Sequence, residues 1–204
     1  PDPQAVEIDP ENRLWHHLPM RRLEAEAIRD AMLTVSGRLD RTLFGPAIEP
    51  FRTAEDAQKR LFKGPLDGDG RRSVYLEMTL MEPPRFLAIF NQPIPKQTVG
   101  RRDVSNVPDQ ALALLNDPFV IAMSKHWSER LLTDGTSSPE QRIHGMLESA
   151  MTRTPEPEEV ASLLQLTRRS AELRGAESDL PECQVAWQDA AHVIFNMKEF
   201  LYVR

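Results

Sequence analysis

The chain has 204 residues, 40% of them hydrophobic and 27% charged, with a formal net charge of −6 at pH 7. That length spans one large domain or two small ones, and that balance excludes a disordered chain. Acidic and basic residues are interspersed, which excludes the basic stripe of a nucleic-acid binder, and no apolar run reaches the roughly 20 residues that cross a bilayer.

The opening stretch PDPQAVEIDPENR has no initiator methionine and no charged-then-apolar leader, so the chain reads as a C-terminal fragment of a larger protein. From Met20, the run MRRLEAEAIRDAMLTVS places Leu23, Ala27, Ile28, Ala31, Met32 and Val35 at helical spacing and stops at Gly37. Residues 40–72 lose periodicity and end in GPLDGDGRR, which reads as a mobile surface loop, and a subdivision near 64–72 is compatible with it. In RRSVYLEMTL, Val74, Leu76, Met78 and Leu80 alternate with Ser73, Tyr75, Glu77 and Thr79 at the period of a strand. No partner strand is evident, so an extended segment laid across helices or a small hairpin is expected.

EPPRFLAIFNQPIP reads as a short helix between prolines. In NVPDQALALLNDPFV, Asn106 or Val107 caps a helix that Pro108 enters, and Asn116-Asp117-Pro118 ends it and starts the next, carrying Phe119, Met123, Trp127 and Leu131. DGTSSP closes that one with turn chemistry. Three more helices are predicted at roughly 139–152, 157–173 and 184–198. The fold class is therefore mainly α: an irregular single domain over 1–204, of six or seven helices, with a short extended segment or small hairpin. The closing EFLYVR has two readings, a dense apolar tail that anchors a partner through Phe200 and Tyr202, or one that folds back into its own core.

Familiar catalytic motifs are missing. There is no GxSxG, P-loop, GxGxxG or HExxH, so no residue is assigned a catalytic or metal-binding role. His16 and His17 are adjacent and diverge in direction, and His126, His144 and His192 lie on separate helices. The single cysteine, Cys183, excludes an internal disulfide and a CxxCH haem site in this chain. Two polar groupings remain. Arg22, Glu26 and Arg29 are spaced four and three apart, so on one helix they form either a solvated ion-pair ladder or a face on which Glu26 aims an arginine at an anion. Arg101, Arg102, Asn106, Gln110 and Asn116 surround the ALALLN helix, either as caps and bridges or as a polar pocket.

The blocks RRLEAEAIRDAMLTVSGRLD, RRSVYLEMT, GRRDVSNVPDQALALLNDPFV, RTPEPEEVA and AWQDAAHVIFNMKEFLYV, in this order from about Asn12 to Val203, resemble the C-terminal domain of unknown function in planctomycete cytochrome-c-associated proteins, the planctomycete domain-one type. Ser105 stands where the resemblance leads one to expect threonine. The resemblance implies an extracytoplasmic setting and a multidomain parent with haem c in other domains. It implies no reaction. The expected function is a non-catalytic interaction or scaffold domain whose partners are other domains of the same polypeptide, including a c-type cytochrome. The rival is an extracellular hydrolase or carbohydrate-binding module using Glu26, Asp30 or Asp103, which requires two carboxyls roughly 5–10 Å apart across a cleft.

Overall fold

The computed structural model describes residues 2–52, 63–80, 83–96, 98–133, 137–175 and 177–203. Nine α-helices occur among them: α1 (Pro3–Ile8), α2 (Ala25–Val35), α3 (Arg85–Ile89), α4 (Pro108–Asn116), α5 (Pro118–Thr133), α6 (Pro139–Met151), α7 (Pro157–Leu173), α8 (Gln184–Asn196) and α9 (Lys198–Leu201). The mainly α class holds, and the seven predicted helices correspond to α2 through α8. The additional two are short. The expected 184–198 helix breaks at Met197, which takes an extended conformation (φ −68°, ψ 137°) and turns the chain into α9.

Local chemistry explains the long helices. Pro108, Pro118, Pro139 and Pro157 each open a first turn, where a missing N–H costs nothing. Ser138 and Gln141 form a reciprocal capping box on α6, and the Asp117 carboxylate accepts from the Phe119 amide at the start of α5. α6 ends on Thr152 in the left-handed region (φ 55°).

The core is built on α5 and α8. Trp127 stacks at 5.4 Å on Phe195, which meets Phe200 at 5.2 Å. Trp187, Ala190, Ala191, Ile194 and Phe195 expose nothing to solvent, and Ile143 and Met146 of α6, Leu163 and Leu164 of α7 and Ile28, Met32 and Leu33 of α2 close around them. Phe200 and Leu201 are buried in the same cluster. Phe200 and Leu201 are thus part of the chain's own core, because Met197 folds them back over α8, while Tyr202 is half-buried.

Among the described residues the one two-stranded sheet joins residues 21–22 to 202–203. β1 (Arg21–Arg22) pairs antiparallel with β2 (Tyr202–Val203), and the Leu23 amide donates to the Leu201 carbonyl at 2.8 Å. The alternation read at 73–80 does not make a strand. Ser73–Tyr75 is a 3-10 turn, Ser73 is buried and Val74 is 72% exposed, with Leu76 alone bridging to Ile48. The inversion has a cause in α2: the Ser73 hydroxyl donates to Asp30 (2.7 Å) and accepts from Arg29 (3.1 Å), so the polar side chain must face inward.

The GPLDGDGRR stretch is packed, not projecting. Gly68 and Gly70 are buried at φ 63° and 73°, and a Cβ on Gly70 would collide with the Arg38 carbonyl. Asp67 ties this turn to Arg38 at 2.6 Å. The expected loop at 53–62 and the turn at 134–136 lie outside the described residues. No helix among the described residues is long and apolar enough to cross a membrane.

Candidate functional site

Arg22 does not sit on the helix with Glu26 and Arg29. As part of β1 it points into the gap between α3 and α4, where its guanidinium donates to four acceptors: the Ser105 carbonyl (2.5 Å), Gln110 Oε1 (2.7 Å), the Phe90 carbonyl (3.2 Å) and Asn91 Oδ1 (2.7 Å). Its Cζ lies 5.6 Å from the centre of the Phe90 ring. All four acceptors are neutral. Burial pushes the Arg22 pKa down, with Tyr202 acting in the opposite direction, and the Nε–H is buried without an acceptor.

Asn91 is the junction of this cluster and sequence reasoning missed it. Its Oδ1 also accepts from the Ser105 amide (3.2 Å), the Ser105 hydroxyl (3.0 Å) and Gln110 Nε2 (3.3 Å), while Gln110 reaches the Ile89 carbonyl at 3.0 Å. The signal that finds it is positional. An asparagine after a short helix tolerates the left-handed conformation that ends it, and Asn91 has φ 66°. Ser105 retains a hydroxyl at the position where threonine was expected, and that hydroxyl is used.

The ion-pair ladder on α2 is absent, because each member finds a longer-range partner. Glu26 is held by Arg102 through two bonds, Nη1–Oε2 at 2.7 Å and Nη2–Oε1 at 3.0 Å, with Gln92 Nε2 at 3.4 Å. Burial pushes the Glu26 carboxyl up, but the hydrogen bonds from Arg102, its own backbone and Gln92 outweigh it and bring the pKa below the usual range. The same contact raises the Arg102 pKa. Arg29 is almost wholly buried, turned away from both, and donates to the Arg71 and Asp67 carbonyls and to Ser73.

Of the residues around ALALLN, Gln110 is buried in the Arg22 cluster and Arg102 is on Glu26, while Arg101 and Asn106 are exposed. Val107, not Asn106, occupies the cap position of α4, without a side-chain bond. Asn116 is exposed and donates back to the Leu112 carbonyl at 3.0 Å. The sequence grouping therefore divides into an inner hub (Arg22, Asn91, Ser105, Gln110) and an outer rim (Arg101, Arg102).

That rim borders an open cleft of about 870 Å³ between residues 20–27 and 101–104, walled by Met20, Arg21, Arg101, Arg102, Val104 and Tyr202. Met20 is 48% and Val104 72% exposed. A second hollow of about 640 Å³ lies across the Glu26–Arg102 pair and is lined by Glu24, Glu26 and Asp30. Asp30 there faces Ser73, Arg72 and Arg29, and Asp103 faces the first cleft instead. The rings of His16 and His17 meet edge-on with centroids 4.5 Å apart, and among the described residues no group of three or more His, Cys, Asp or Glu side chains is arranged to hold a metal ion.

No curated protein and no solved structure matches the chain. A family model matches residues 1–167. That span includes residues 20–27 and 101–104 of the cleft and all of the second hollow but ends inside α7, so Tyr202 of the cleft wall and the block at 186–203 counted in the resemblance lie beyond it, although α8 fills the centre of the same core. The chain belongs to the PSD1 family, described as a protein of unknown function (DUF1553).

Proposed function

We propose that this is a non-catalytic interaction domain that docks other domains of its parent polypeptide through the cleft between residues 20–27 and 101–104. The observation that carries the reading is the composition of that cleft: exposed apolar side chains, Met20 and Val104, set among Arg21, Arg101 and Arg102. Interface centres are enriched in such apolar and arginine anchors. The hub beneath it is densely hydrogen-bonded, which limits the entropy lost on docking. The resemblance to cytochrome-c-associated proteins supports an exported parent, an extracytoplasmic location, and a c-type cytochrome module as partner, with the haem held there, since this chain has one cysteine and no CxxCH.

The hydrolase reading is weaker. A general acid needs a carboxyl whose pKa is raised, whereas Glu26 is held below its usual range by Arg102, and Asp30 is occupied by Ser73 and two arginines. The test is calorimetric titration of the domain with the separately produced neighbouring region of its parent. The double variant Arg101→Glu, Val104→Asp should abolish binding while the helical circular dichroism spectrum and Tm are unchanged. Full affinity in that variant would remove the cleft as the docking surface.

A further inference from the structure

A smaller cavity, sharing no lining residue with the docking cleft, touches α2 at Arg29. It has a volume of about 110 Å³ and is walled by Leu66, Leu76, Phe86, Leu87 and Phe119 together with prolines. Among the described residues its charged groups are Arg29, Arg52, Arg85 and Asp117. Asp117 is already engaged: its Oδ1 accepts from the Phe119 amide, burial raises its pKa, and Arg85 offsets its charge. Arg52 donates to Thr79 at 3.2 Å and faces Glu49 at 3.7 Å.

Arg29 is the unusual group. It is 4% exposed, yet among the described residues no carboxylate is within hydrogen-bonding distance, with Asp30 at 3.6 Å. Three of its five N–H groups go to the Arg71 and Asp67 carbonyls and the Ser73 hydroxyl, which leaves the Nε–H and one Nη2–H. Nε and Nη2 share one edge of the planar guanidinium, the edge that pairs side-on with a carboxylate. Nη2 lies beside Gly68, itself part of the cavity wall; a Cβ there would come within 2.7 Å of it, so glycine keeps that approach open. Burial without adequate counter-charge lowers the Arg29 pKa to about 10, consistent with a cation short of an anion.

We infer that this cavity is a binding site for a short aliphatic monocarboxylate, its carboxylate on Arg29 and its alkyl group against Leu66, Leu76 and Phe119. The rings of Phe86 and Phe119 are in contact at 5.4 Å and form one wall. The volume of about 110 Å³ limits the whole ligand to less than a benzene ring, since an apolar cavity of about 150 Å³ accommodates benzene. The test is calorimetric titration of the intact chain with propionate, with propionamide as the uncharged isostere, and amide chemical-shift mapping of the complex. Propionate should bind saturably, at least about tenfold more tightly than propionamide, the margin of one charge-assisted bond, with shifts centred on residues 66–68, 86–87 and 117–119. Leu66→Trp, which fills the cavity, should remove binding, and Arg85→Gln should weaken it several-fold while the fold is kept. Absence of saturable binding, equal affinity for propionamide, or shifts mapping elsewhere would each overturn the inference, whether or not the tryptophan variant folds.

Discussion

The two halves of the molecule are held together by different means. From α4 onward the chain is regular helix, its backbone groups are satisfied internally, and stability comes from apolar side chains such as Trp127, Trp187, Ile194 and Phe195 meeting at the centre. Before α4 the chain is mostly irregular, and its carbonyls are collected by arginines: Arg22 takes those of Phe90 and Ser105, Arg29 those of Asp67 and Arg71, and Arg71 those of Thr42 and Phe44. The device is sparser in the second half, where Arg142 holds the Pro181 carbonyl at 2.6 Å and Arg153 that of Thr154 at 3.2 Å, both where helix is interrupted. An irregular chain has carbonyls that no ladder satisfies, and a guanidinium with five donors can satisfy several at once. Arginine here acts as substitute secondary structure.

The contrast can be broken in the helical half first. Trp187→Ala should cost about 3–5 kcal/mol in urea unfolding, the range for an aromatic truncated in a close-packed core, and a loss under half of that would show the α5–α8 centre to be loosely packed. In the irregular half, Arg29→Met should cost about 2–4 kcal/mol because three acceptors lose their donors, and Arg29→Lys should not rescue it, since an ammonium cannot span the Asp67 and Arg71 carbonyls as a planar fork does. Rescue by lysine would mean that charge rather than geometry holds this turn. Asn91→Gly keeps the left-handed backbone but removes the shared acceptor, so a loss of about 1–2 kcal/mol is expected by thermal denaturation. No loss would mean that Asn91 is there only for its φ.

The smallest effect concerns pH. Arg153 grips Glu159 (2.6 Å) and Glu199 (2.7 Å), and the hydrogen bonds from Arg153, with that of the Glu156 amide, depress Glu159 from its ordinary 4.5 to about 2. A depressed carboxyl stabilises the folded state above its unfolded pKa, and that contribution is lost as pH falls through the folded one. The wild-type Tm should therefore drop between pH 4.5 and about 2 more steeply than that of Glu159→Gln. Parallel profiles would show the pair, exposed as it is, to be screened to nothing.

The helical half was legible in the sequence because its causes are local. α4 to α7 each carry their own apolar period and a proline at the start, and α8 its own apolar period, so all five could be read without knowing what they pack against. The irregular half was not, because its determinants are distant. Arg22 and Gln110 meet across 88 residues, and Glu26 and Arg102 across 76, so both were identified as polar candidates but were assigned to neighbours on the same helix or loop. Ser73 and Val74 invert the expected alternation for the same reason, since the buried Arg29 and Asp30 decide which of them turns inward.

The pairing of β1 with β2 sets an order of events during synthesis. Arg21 and Arg22 leave the ribosome well before their strand partners Tyr202 and Val203, of which Tyr202 also walls the docking cleft. At roughly 5–20 residues per second, the intervening stretch takes on the order of ten seconds or more to make. During that interval α5 has no α8 to pack on, and Trp127 stands without Phe195. A nascent chain halted at residue 167, where the family match stops, would remain in that state: it would have the arginine clamps of the irregular half but neither α8 nor the closing strand.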